Sequence, residues 1–498
     1  MKKLIFVLLT LFNWAGLHAA SHQWQWIGPP AGTIQQIIPD RKNPNVWYSV
    51  NNGVLYRSTN GAKSWNVTPL SNLQDPYDTS VAPVVVDSES SNLFVANQKP
   101  GGSRLWFSED QGKSFQLRGS FHFKLRRVIP HPTDPNVLYG FGLNDLDLAV
   151  SVTGGRSWEN VSNLPFTIGQ PVGNCEVEAL EFVDFVFSPF NSNVLFASAL
   201  VLEECIPESD EFSILIMSDN GGKTWKVLEK GSDYGYTFHT DPLFPKRVIA
   251  SNHDGLKILT PQGWKVLSSQ QDLLQVISVP GHPEELLGTQ RFFAGSYKIR
   301  VFKSKDGGKS WNVAPLGLEG KISKIQSVDD STRGLLAGTN GAGLYYRNQE
   351  NSWQQRNRGF LEADITQIQT PASGDRIYAS SRDFGNSESG YLFTTEAMKT
   401  VWENLSFLLP GNSGTFDFMT VDPGDSQHLL IASKSISGSE NGGKKWISSN
   451  MTPIECCQFA VAFDPGNPNV VYAARDGAFK STDGGKNFQQ LSATNLPT

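Results

Sequence analysis

A serine, an aspartate or asparagine two residues on, and a lysine or arginine three residues later recur along this 498-residue chain. The copies are Ser58-Asn60-Gly61-Trp65, Ser108-Asp110-Gly112, Ser151-Trp158, Ser218-Asn220-Trp225, Ser304-Asp306-Trp311, Ser439-Asn441-Trp446 and Ser481-Asp483-Phe488. A hydroxyl, a carboxylate and an ammonium in mutual reach are the parts of nucleophilic or acid–base catalysis. Catalysis needs such a set once, however, and here it occurs seven times. Each copy lies between two apolar runs, as with Gly53-Val54-Leu55-Tyr56 before Ser58 and Trp65-Asn66-Val67 after it. Glycine and Asx between such runs mark a β-hairpin turn. The closing Trp or Phe starts the outgoing strand, where it covers the seam to a neighbouring sheet. The cassette is therefore expected to be structural.

A second set of reactive residues is confined to one stretch. Between Arg156 and Lys223 the chain has no Lys or Arg, yet it holds Glu176, Glu178, Glu203, Glu204, Glu208, Asp210 and Glu211 among other acids. A block of one sign either attracts a cationic partner or keeps a loop solvated. Calcium is a further possibility, since hard cations take oxygen ligands, but no recognisable loop motif accompanies the acids. Basic residues stand close by in sequence, with Lys99, Arg104, Lys124, Arg126 and Arg127 upstream of the acidic stretch.

The four cysteines are Cys175, Cys205, Cys456 and Cys457. They have no zinc-type spacing, and in an oxidising compartment they can pair. Cys175 with Cys205 is the expected bridge. Cys456 and Cys457 are adjacent, so either a strained vicinal bridge or two thiols is open. No cofactor or metal motif is present.

What must position these residues is the repeat. Upstream of the cassettes a second phrase recurs, as Asn43-Pro44-Asn45-Val46, Asp134-Pro135-Asn136-Val137 and Asn467-Pro468-Asn469-Val470, each preceded by an apolar strand. One unit reads strand A, Asn/Pro turn, strand B, loop, strand C, glycine cassette, strand D. Degenerate units ending in Trp264, Trp353 and Trp402 keep the aromatic and lose the glycines. Markers then fall 42 to 50 residues apart, with one interval of 67 from Ser151 to Ser218. Four antiparallel strands per repeat is a propeller blade. The expected fold is all-β, a single β-propeller of about ten four-stranded blades over residues 21–498, with two smaller propellers as the alternative. The long interval belongs to blade four, with extra loop residues over about 165–212.

The cassettes resemble Asp-box, or BNR, repeats, and ten such blades in one ring resemble the sortilin-type propeller. That resemblance covers essentially the whole chain after residue 20. It implies a binding ring and no receptor role, because sortilin-type receptors add a cysteine-rich module and a membrane anchor not found here. Sialidases and xyloglucan-cleaving glycoside hydrolases share such blades. A sialidase needs an arginine cluster with a Tyr/Glu pair on inner strands, and the xyloglucanase type an acid after strand B of blade one, where this chain has Asn51-Asn52-Gly53. Photosystem II assembly factors share the repeat in a smaller ring.

Met1 to Ala20 reads as a secretory signal, with Lys2 and Lys3 before an apolar run ending at Phe12 that is too short to span a bilayer. A periplasmic or secreted protein is expected. The formal charge of −6 becomes −8 once Lys2 and Lys3 are removed, since no acid leaves with them. That balance argues against nucleic acid as a partner. The expected function is a non-catalytic binding or assembly propeller that holds a peptide, protein or glycan, the partner basic if the acidic loops are the contact. The alternative is a glycoside hydrolase of the sialidase or xyloglucanase type.

Overall fold

The computed structural model describes residues 32–491 apart from short stretches; 73–79, 122–124, 143–147, 166–170, 206–209 and 452–458 are among those outside it. The signal segment, Lys124, Glu208, Cys456 and Cys457 therefore lie outside the described residues.

Alternating apolar residues between turn signals give short antiparallel strands throughout, gathered into ten four-stranded units. Their ranges are 32–67, 80–121, 125–160, 171–231, 237–268, 273–313, 322–355, 365–404, 418–448 and 460–490, and they are blades one to ten. Blade four gains a fifth, two-residue strand, Pro171–Val172. Each blade buries an apolar layer against the next. The seam of blades three and four, for example, holds Tyr139, Phe141 and Leu148 against Phe182, Leu195 and Ile214.

The all-β architecture and the ten blades follow the sequence expectation. Closure adds something the repeat count did not contain. One ring of ten puts blade one beside blade ten, but the inner strand of blade one pairs with blade seven, through Gly32↔Gly341 and Thr33↔Asn340. Ile34, Trp47 and Trp65 of blade one share a core with Leu336 and Leu344 of blade seven and with Phe360. The Trp65 indole donates to the Arg356 carbonyl at 2.9 Å and stacks on Phe360 at 5.2 Å. Blades one to seven thus meet in a closed circuit. Blades eight to ten continue from it, and Tyr391, Phe393 and Trp402 of blade eight join the apolar cluster of blades six and seven. The physical reason is the seam aromatic: Trp65 is 2 % exposed, and what covers it comes from the chain just after blade seven.

Blade topology sorts the loops onto two faces. The A–B turns and the cassettes share one, shown by the recurring bond from the cassette to the preceding turn. Gly61 N–H donates to the Asn45 carbonyl, Gly154 to Asn136, Gly221 to Asn193, Gly307 to Glu284, Gly442 to Gln427 and Gly484 to Asn469, all within 2.8–3.0 Å. The B–C loops and the chain entering strand A lie on the opposite face. None of the described helices is long and apolar enough to cross a membrane.

Candidate functional site

Three groups of polar residues could do chemistry: the cassettes, the inner strands, and the acidic stretch of blade four. The cassettes are spent on themselves. Each cassette serine is buried. Its hydroxyl accepts a backbone N–H four residues on, at 2.7–3.1 Å in all seven copies. In six copies it also donates to the Asx side-chain oxygen, at 2.7–3.0 Å. Thr153 stands at the Asx place in the copy at Ser151. The Asx oxygen in turn accepts amides from the end of the turn, as Ser114 N–H to Asp110 at 2.9 Å. For Asp306 the Ser310 hydroxyl, followed by the Ser310 amide, brings the carboxyl down to about 2. For Asp110 and Asp483 desolvation pulls upward, and the hydroxyl, amide and side-chain donors outweigh it to give about 2 as well. The basic residues that follow, such as Lys63, Lys113 and Lys309, are exposed. Gly308, at φ +93°, shows why glycine is needed here: an added Cβ would stand 2.9 Å from a Leu267 methyl of the neighbouring blade.

The inner strands carry a polar clip that sequence reading missed. Each clip residue follows a bulge in strand A. Gln36 accepts from Val84 N–H of the next blade at 3.1 Å. Gln275 spans Ile325, accepting its N–H at 3.0 Å and donating to its carbonyl at 2.6 Å. Gln367 spans Met419 and Asp417 in the same manner. In blade four the residue at this place is Asp184. It accepts Phe238 N–H of blade five at 2.7 Å, Phe185 N–H at 2.8 Å, and the Arg127 guanidinium of blade three. Beside it, the His239 imidazole bonds the Ser251 hydroxyl at 2.6 Å, which donates to the Leu273 carbonyl. Burial is the main reason the His239 pKa falls to about 3, with Lys324 and Arg127 adding to it. The available signal was the Gln of Thr33-Ile-Gln-Gln-Ile and Ile365-Thr-Gln-Ile, matched by Asp in Phe182-Val-Asp-Phe.

The acidic stretch of blade four is not a pair of loops. Residues expected as loop instead extend the strands: Cys175–Ser188 and Asn191–Cys205 run 14 and 15 residues, against five for strand B of blade one. They form one long hairpin on the face opposite the cassettes, continued by Asp210–Ser218. Cys175 and Cys205 are direct Cα partners at its end.

A period of two then divides the acids between the hairpin's two sides. Glu176 and Glu178 are exposed and alternate with the buried Val177. The Cα partner of Glu176 is Glu204, while Glu203 faces Val177 and Asp210 across its two neighbouring strands. Glu211 is exposed. Glu203 alone among the described acids of the hairpin tip is buried, at 6 % exposure. It continues the inward row of Leu195, Ala197, Ala199 and Val201, and its Oε1 has no hydrogen-bond partner. Arg126 lies in strand A of blade three, one residue before the clip arginine, Arg127. The register thus makes Glu203 and Asp210 Cα partners and pairs Glu176 with Glu204. Among the described residues no group of three or more His, Cys, Asp or Glu could hold a metal ion.

No known family profile matches the chain, and no curated protein matches it. Solved structures share its propeller form at low identity. A GH74 enzyme of Niastella koreensis is 14% identical, covers 92% of this chain and 78% of its own, and gives a TM-score of 0.49. The extracellular domain of the hybrid two-component system BT3049 of B. thetaiotaomicron is 12% identical over 94% of this chain and 59% of its own, with a TM-score of 0.37. YCF48 bound to D1 peptide is 15% identical over 73% of this chain and 84% of its own, at a TM-score of 0.20. The likeness is one of fold, and the chemistry of this chain has to be argued from its own residues.

Proposed function

We propose that this chain is a non-catalytic, extracytoplasmic binding or assembly propeller whose blade-four hairpin docks a basic segment of a protein or peptide. The observation that carries the reading is where charge is concentrated. Cassette hydroxyls and carboxyls, clip glutamines and Asp184 are bonded within or between blades. On the opposite face Glu176, Glu178 and Glu211 are exposed, in a stretch of chain with no Lys or Arg of its own. A one-sign surface on a rigid scaffold attracts opposite charge and speeds encounter with it. Asp184 is a poor general acid or base here, because an arginine and two amides already occupy its oxygens. Cys175 and Cys205 complete the reading as a bridge that pins the end of the hairpin, supported by their places opposite one another. The secretory reading of residues 1–20 supports an oxidising compartment for it.

The test measures fluorescence anisotropy of a labelled Arg/Ser peptide with the protein lacking residues 1–20. The comparison is wild type against a variant carrying Gln at Glu176, Glu178, Glu204, Glu208 and Glu211. Binding that weakens with salt in wild type and is largely lost in the variant is expected. Equal binding by both proteins sinks the docking surface. A parallel screen on a glycan panel addresses catalysis, and hydrolysis of any member overturns the non-catalytic half.

A further inference from the structure

Glu203 is a misfit in its own strand. The inward row Leu195, Ala197, Ala199, Val201 is fully buried, and Glu203 extends it with a carboxyl where a fifth apolar side chain would pack. Burying a polar group without a hydrogen bond is costly, and burying a charge costs more. Blade four shows elsewhere how it treats a structural buried acid: Asp184 receives two amides and a guanidinium. Glu203 receives none of these, and its Oε1 is enclosed and unbonded. Asp210 is its Cα partner on the next strand. Lys230, on the outer strand of the blade, lies 4.2 Å over the Phe212 ring.

We propose that Glu203 is the seat for one arginine side chain of the docked partner. This deepens the docking role proposed above and rests on it. Val177, the Cα partner of Glu203, and Val201, two residues before it, make its surroundings apolar, which suits the aliphatic stem of an arginine. The guanidinium presents several donors in a planar fork, matching a carboxylate better than a compact ammonium does. A calcium ion is the weaker fit, since it takes roughly six to eight oxygens and one carboxyl supplies a minority of them.

The experiment uses the protein without residues 1–20, the labelled Arg/Ser peptide, and a Lys/Ser peptide of the same length. Glu203→Gln should weaken the Arg peptide at least about tenfold, equivalent to about 1.4 kcal/mol. It should leave the peptide-free melting temperature equal or higher, because an unpaired buried charge is gone. Glu203→Leu, which continues the apolar row, is the second variant should Gln fail to fold. Glu176→Gln, on the other side of the hairpin, should change affinity less than about threefold. Unchanged affinity in both Glu203 variants removes the seat. Equal affinity for the Lys peptide in wild type overturns the choice of arginine. So does calcium chloride that raises the melting temperature of wild type and not of Glu203→Gln. If the five-Gln hairpin variant loses the peptide while Glu203→Gln keeps it, docking stands and the seat falls; if the five-Gln variant keeps it, both fall.

Discussion

The two faces of this propeller handle polar residues in opposite ways. On the cassette face, serine, Asx (threonine in one copy) and backbone amides form closed sets of bonds repeated seven times, and the aromatic after each set seals a seam. On the other face, blade four raises a hairpin rich in acids, one of them buried with an unbonded oxygen. The first arrangement lowers the energy of the fold and leaves nothing over for a ligand. The second raises the energy of the fold and is understandable if a partner lowers it again. Repetition marks what holds the molecule together, and departure from repetition marks where it can act.

The sharpest way to break the satisfied side is to remove the aromatic that closes the circuit. Trp65 is buried, bonded through its indole and stacked on Phe360, whereas Trp446 in blade nine is half-buried with its indole N–H unbonded. Trp65→Ala should cost about 3–5 kcal/mol in denaturant unfolding, as large-to-small changes of buried aromatics do. Trp446→Ala should cost less than half as much, because less surface and no hydrogen bond are lost. Equal losses at the two positions would mean that closure against blade seven contributes nothing special.

Much of the cassette face was legible because its chemistry is local. Ser58, Asn60, Gly61 and Trp65 lie within eight residues, and the turn they form needs those types at those places. Closure was not legible, because the Arg356 carbonyl and Phe360 stand some 290 residues from Trp65 and carry no motif. The acidic hairpin was half legible. Its charge and its cysteines were plain in the sequence, but loops were expected where strands form, so the period-two division that isolates Glu203 from Glu176 could not be seen. Arg127 was read as one of several basic residues near blade three, and only the fold shows that it is committed to Asp184.

On the hairpin side, the next largest effect is expected from its end. A bridge between Cys175 and Cys205 closes a loop of moderate length, worth about 2–4 kcal/mol. Intact-mass measurement with and without alkylation should show neither thiol reactive until reductant is added. Cys175→Ser with Cys205→Ser should lower the melting temperature and loosen protection of the hairpin amides, leaving blades five and six unchanged. Ready alkylation of both thiols in the folded, unreduced protein would dismiss the bridge. It would also leave the hairpin held only by its ladder and its apolar row.

The smallest effect belongs to the cassette carboxyls, and the chain carries its own control for it. Three cassettes use Asp110, Asp306 and Asp483, and three use Asn60, Asn220 and Asn441 in the same bonds. The aspartates fall from the ordinary 3.8 to about 2 on folding. A carboxyl whose folded value is depressed adds stability that is complete above its unfolded value and disappears as pH falls through the folded one. The window is therefore 3.8 down to about 2. All three turns are solvent-facing, so the gain per site is a modest one. The triple change of Asp110, Asp306 and Asp483 to Asn should lower the urea midpoint slightly near neutral pH and close that gap as the window is crossed. His239, held at about 3 by burial, is present in both proteins and cancels in the difference. A gap of constant size across the window would show that these turns draw on the shape of the Asx side chain alone, with its charge irrelevant to the fold.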